Sequence, residues 1–197
     1  MYDDVLEAVA SDRVAPASGT VVAVTAASGT ALAEMAVTHS RDHHDPQGAR
    51  SQRLADARST LRGHRAVLLS LAVADAGVVD RLFGGGYSST PERERRRATA
   101  VPLSTAEAAV DALTLVAELG SVIARTVRTD LRAGVGILGS AALVSADTAR
   151  ENLEAFGSDG VAQTCRSRLE AVETAIATTL ARLEAALDFE IQVCYRG

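Results

Sequence analysis

Apolar positions recur along this chain at helical intervals, not alternating ones. The clearest run is Leu169, Val172, Ile176, Leu180, Leu183 and Leu187, one stripe at three- and four-residue spacing. It marks a helix over about 160–188 and reads as a packing seam, within a bundle or with a second subunit. The same pattern predicts helices over about 2–10, 18–38, 47–82, 91–119 and 129–156. The breaks fall at recognisable residues: Asp42, Asp45 and Pro46, then Gly84-Gly85-Gly86, Gly120 and Gly157. Pro102 lies inside the fourth helix, where its missing N–H predicts a bend. There is no alternating strand segment, internal repeat or long linker. The expectation is an all-α antiparallel bundle of about six helices, a single domain over 1–197.

Composition sharpens this picture. Hydrophobic residues make up 47% of the chain and aromatics only 3%, with no Trp. Alanine, the best helix former, dominates, and 197 residues suffice for a real core. The helix over 18–38 is built almost wholly from small side chains, so another backbone or a flat ligand can come very close to it. Pro16 precedes its Ser18-Gly19-Thr20 start. The free N–H groups there suit an anionic ligand group.

Several function classes drop out. A net charge of −5 gives no reason to expect nucleic acid. Arg93, Arg95, Arg96 and Arg97 alternate with Glu92 and Glu94, the pattern of a solvated helix face. Gly84-Gly85-Gly86 has no preceding strand and no following Lys-Ser/Thr, so it is no phosphate loop. The stretch 14–37 contains Glu34 and many small polar residues, a poor membrane signal. The acidic Met1-Tyr2-Asp3-Asp4 start lacks a signal peptide's basic residues and apolar run. Cys165 and Cys194 read as isolated reduced thiols, so a cytoplasmic protein is expected.

Few residues remain to carry chemistry. Asp130 stands at the predicted start of the fifth helix, where it serves either as an N-cap or as a partly desolvated proton shuttle. Arg125, Arg128 and Arg132 surround it, as an anion-holding fork or a surface charge row. His39, His43 and His44 cluster near Arg41. His39 and His43 have i, i+4 spacing, but Pro46 and the turn residues end the helix first, so no metal site is assigned. Histidines there suit proton shuttling or anion contact, or else a solvated polar turn.

Motifs spread over about residues 5–185 resemble the cyclodeaminase/cyclohydrolase family. Pro16-Ala17-Ser18-Gly19-Thr20 stands in place of that family's Pro-Gly-Gly-Gly-Ser, keeping one glycine of three. The Ala-rich helix carrying Glu34-Met35 fits, as do Asp75 on the long third helix, Val101-Pro102-Leu103, Thr129-Asp130 and Asn152-Leu153. The resemblance implies an all-helical dimer with its ligand between helices near the subunit interface. It implies Asp130 as the catalytic residue. Ser18, Gly19, Thr20, Arg41, His43, His44 and Asp75 are its implied substrate contacts, and Arg128 joins them as an anion-holding arginine beside Asp130. The family's Lys-Lys pair is replaced by Arg41, His43 and His44, and the chain has no lysine.

The reaction expected is the making or breaking of a C–N bond in ring closure or opening. The substrate would be a tetrahydrofolate one-carbon derivative, with no separate cofactor. Two alternatives stay open: a non-folate cyclase acting on a small amine, and a non-catalytic subunit of a heteromeric complex. Ala17-Ser18 in place of Gly-Gly adds two Cβ atoms and a hydroxyl, so weaker folate binding is expected.

Overall fold

A computed structural model describes residues 2–42, 48–83, 92–156 and 160–188. Six α-helices account for most of them: α1 (Tyr2–Ala10), α2 (Ser18–Asp42), α3 (Ala49–Phe83), α4 (Glu92–Leu119), α5 (Arg128–Phe156) and α6 (Gly160–Leu187). Two 3-10 turns, Gly120–Val122 and Arg125–Val127, join α4 to α5. No described residue lies in a strand. Helices α2 to α5 form a ring of antiparallel neighbours, and α6 packs along α4 and α5. The apolar stripe of α6 faces this bundle: Leu169, Val172, Ile176, Leu183 and Leu187 are all buried.

Helix α2 sits between α3 and α5, and its small residues set how closely it approaches both. A Cβ at Gly29 would lie 2.8 Å from the Gly134 carbonyl oxygen. A Cβ at Gly134 would lie 2.9 Å from the Gly29 carbonyl oxygen. The α2 and α5 backbones therefore touch directly. On its other flank, Glu34 is buried and draws in Arg58, Arg62 and Arg65 of α3, at 3.8, 3.2 and 3.1 Å. Two helices, Ser18–Arg41 and Glu92–Val122, are apolar and long enough to cross a membrane by length and composition. About half of each such stretch is buried inside the bundle.

Helix α2 runs to Asp42, one turn beyond the predicted end at Thr38. The buried Ser40 makes this possible. Its hydroxyl donates to the Ala36 carbonyl (2.7 Å) and accepts from the Ala124 N–H (2.9 Å), tying the helix end to the α4–α5 connection. That connection is held from α3 as well. Arg53 donates to the Glu118 carbonyl (2.7 Å) and Arg50 to that of Val122 (2.8 Å), satisfying acceptors that the end of α4 leaves open.

Helix α4 continues through Pro102. A proline there cannot donate to the carbonyl four residues back, that of Ala98. The Asn152 side-chain amide of α5 donates to this same carbonyl at 2.7 Å. The defect made by one residue is thus repaired by another, fifty positions away. The Arg/Glu row at the start of α4 also differs from a purely solvated face. Glu92 pairs with Arg96, but Glu94 is buried and accepts from Arg81 of α3 at 2.8 Å. That hydrogen bond holds the Glu94 carboxyl below the ordinary carboxylate range.

Two predictions follow from this packing. Gly29→Ala forces its Cβ into backbone and should destabilise the protein by about 1–3 kcal/mol. Gly63→Ala, with open space around the same change on α3, should stabilise it by about 0.4–1 kcal/mol. Denaturant midpoints measure both, and equal effects would remove the backbone-contact argument. For the second, Asn152→Ala should cost about 1–3 kcal/mol. Pro102→Ala should recover most of that loss in the Asn152→Ala background, read as a coupling energy in a double-mutant cycle.

Candidate functional site

The N-terminus of α2 opens beside α3, and the residues there come together. The Thr20 hydroxyl donates to Asp75 Oδ2 at 2.8 Å. The Thr20 backbone N–H also donates to this carboxylate. A Cβ at Gly19 would lie 2.3 Å from Asp75 Oδ1, so only glycine admits the carboxylate so close to the backbone. Asp75 therefore caps α2 from a neighbouring helix. The anion expected at this helix start is supplied from within the chain, which corrects the expectation of a ligand anion there.

A cavity of about 300 Å³ adjoins this cap. Its apolar wall includes Val78, Val79, Leu82 and Phe83, and its polar groups are Ser18, Asp75, Thr148 and Asn152. Burial pushes the Asp75 carboxyl above its ordinary value, and the two hydrogen bonds from Thr20 only partly offset this. Stability tied to this group is fullest below the ordinary carboxylate range, where Asp75 is protonated. It declines as pH rises through the raised folded value. The Thr148 hydroxyl is turned to the Val144 carbonyl (2.9 Å), and the Asn152 amide nitrogen serves Ala98. Asn152 Oδ1, Asp75 and the Ser18 hydroxyl are left to meet a ligand, and together they are rich in acceptors. Such a lining suits a molecule bearing N–H groups.

Asp130 lies elsewhere. It is the third residue of α5, exposed, with no hydrogen bond or ion pair among the described residues. Helix α5 begins at Arg128, continuous with the turn before it, so Asp130 is not the N-cap. A carboxylate in a helix's first turn is favoured by the helix dipole without any specific partner. Thr148 and Asn152 are 18 and 22 residues further along α5, or roughly 27–33 Å at the α-helical rise. Within one chain Asp130 cannot share a cavity with Thr20. Nor do the nearby arginines form a fork around it. Arg132 donates to the Leu187 and Asp188 carbonyls (2.5 and 3.1 Å), closing the end of α6. Arg128 is half-buried, its Nε buried with no acceptor. Arg41 lies in the last turn of α2, at the far end from Ser18. His43 and His44 lie outside the described residues, as does Cys194. Cys165 is a buried thiol. Among the described residues no three His, Cys, Asp or Glu side chains cluster as a metal site.

Thr148 carries no signal in the sequence, and Asn152 stands out there only as part of a motif, while the signal for its task is its pairing with a helix-interior proline. Val78, Val79 and Leu82 carry no chemical signal at all.

An all-helical ring with an internally capped small-residue helix defines a class of fold that comparison identifies. The sequence profile of formiminotransferase-cyclodeaminase matches residues 1–171, and the chain belongs to this family. Its fold is that of a formiminotetrahydrofolate cyclodeaminase from Thermotoga maritima, with a TM-score of 0.87. The two share 18% sequence identity over 95% of this chain and 96% of that one. No curated protein matches the sequence.

One prediction concerns the cap. Thr20→Val removes a hydrogen bond that favours the ionised carboxylate, so it should move the Asp75 pKa further up. Carbon-detected NMR titration of the Asp75 carboxyl measures this. A downward move or no change would mean that the Thr20 hydroxyl does not govern the group.

Proposed function

We propose that this protein makes or breaks a C–N bond in ring closure or opening, on a folate one-carbon derivative. Asp75 carries the proton. Family membership supports the reaction class, and the observation that carries the site is the half-buried carboxyl of Asp75, with its raised pKa, beside an acceptor-rich cavity. In ring closure a ring nitrogen attacks the one-carbon unit and its N–H proton passes to the Asp75 carboxylate. The carboxyl returns a proton to the departing amine as its C–N bond breaks. Ring opening runs the same transfers backwards. A carboxyl with a raised pKa accepts and returns such a proton more readily near neutrality than an ordinary one.

A second reading has its own support. At about 300 Å³ the cavity stands at the lower end of ligand-site volumes, and the Ser18 side chain is part of its lining. A small amine substrate fits this space more readily than a whole folate. Calorimetric titration with folinic acid and with tetrahydrofolate separates the two. Binding that Asp75→Asn perturbs favours the folate substrate, and absence of binding at millimolar concentration favours the smaller amine.

Asp75→Asn is expected to lower turnover about 10²–10⁴-fold while keeping the helical fold, since an amide cannot exchange the proton. Asp130→Asn should cost much less. Steady-state kinetics of both variants, with circular dichroism as the fold control, are the measurement, and the opposite order would return the proton shuttle to Asp130.

The partner proposed is a second copy of the chain. The exposed stripe of α2 runs Val21, Val24, Ser28, Ala31 and Met35 without a charge. The spacing is nearly symmetric about Ser28, so two antiparallel copies of α2 would set Val21 of each against Met35 of the other. Isologous contacts have this self-complementary form. This arrangement brings the Asp130 end of one copy level with the Ser18 end of the other. Light scattering should give a dimer, and Ser28→Arg, which places a charge on the axis, should give a monomer. A dilute wild-type monomer would overturn this assembly.

A further inference from the structure

The three arginines around Glu34 carry more charge and more donors than Glu34 uses. Arg58, Arg62 and Arg65 lie at i, i+4 and i+7 on one face of α3. Arg62 reaches Glu34 Oε1 through Nε at 3.2 Å, and Arg65 reaches Oε2 through Nε at 3.1 Å. Neither makes a hydrogen bond through its terminal Nη atoms among the described residues. Arg58 Nε is buried without an acceptor, its nearest carboxylate oxygen 3.8 Å away. No other carboxylate pairs with these three among the described residues. Three cations against one anion leave a charge of +2, with guanidinium forks open on a face where the Arg62 side chain is 59% exposed.

We propose that Arg58, Arg62 and Arg65 form a binding site for a compact dianion, held on the free guanidinium forks with Glu34 as the fixed base of the site. Planar forks match the paired oxygens of carboxylate and phosphate. A ligand of charge −2 neutralises the cluster that Glu34 leaves incomplete. Glu34 orients Arg62 and Arg65 side-on, so their Nη groups are presented without further ordering of those side chains. The site is separate from the Asp75 cavity in one chain: Glu34 lies 14 residues along α2 from Thr20, roughly 21 Å at the α-helical rise.

The test is calorimetric titration of the full-length protein with inorganic phosphate and with glutarate. Sodium chloride at matched ionic strength is the control. Saturable one-to-one binding of either dianion is expected, and the tighter of the two names the ligand as a phosphate ester or a dicarboxylate. Arg62→Gln and Arg65→Gln, made singly so that two arginines still hold Glu34, should each weaken binding at least tenfold. Glu34→Gln, which removes the competing anion, should strengthen it several-fold. General unfolding would weaken all three, so the opposite sign is diagnostic, and circular dichroism checks each fold. The proposal is overturned if the dianions give no more heat than chloride, or if binding survives both arginine variants. It is also overturned if those variants change only the association state, which would make the cluster a protein interface.

Discussion

Helix α2 has almost no thickness to spare. Its backbone meets that of α5 at Gly29 and Gly134, its first turn is closed by Asp75 of α3, and its buried Glu34 draws three arginines inward. Close approach maximises dispersion contact for side chains that have little apolar area of their own. It also explains how a chain with 3% aromatic residues fills a core, because at the Gly29–Gly134 contact the backbones themselves leave no gap for a large side chain to fill. The requirement falls on particular positions. Gly19, Gly29 and Gly134 admit no side chain, whereas Gly63 and Gly136 face open space.

The same closeness shapes the candidate site. A helix start is an anion-binding feature, and here it is filled by the protein's own carboxylate. Asp75 is drawn out of water to reach the Thr20 N–H and hydroxyl, and the desolvation that follows raises its pKa. A group recruited to finish a helix thereby becomes a carboxyl suited to moving protons. Structure and chemistry at this point share one cause, so altering Thr20 or Gly19 touches both.

Much of the fold was legible because helical spacing and breaker residues are local signals. The boundaries of α3, α5 and α6 fall within two residues of those the pattern predicts. The local pattern stops α2 short because Ser40 is stabilised by a partner 84 residues away, which no local pattern records. The site was legible in part. Ser18, Gly19, Thr20 and Asp75 do come together, though Gly19 serves Asp75 and not a ligand. Asp130 was tied to them by resemblance alone. Its distance from the cavity follows from helix length and antiparallel direction, and a motif carries neither. Asn152 belongs to a motif, but its task depends on a proline in another helix.

That pairing sets an order on how the chain can change over time. Pro102 creates an orphan carbonyl, and Asn152 is its remedy. If the proline is exchanged first, the helix regains its own donor and the asparagine becomes merely redundant, a step that selection would tolerate. If the asparagine goes first, a buried acceptor is stranded and the lineage carries a stability defect until the proline also goes. The two routes lead to the same end, but only one passes through well-folded ancestors. The proline acts as a ratchet that keeps the distant amide in place.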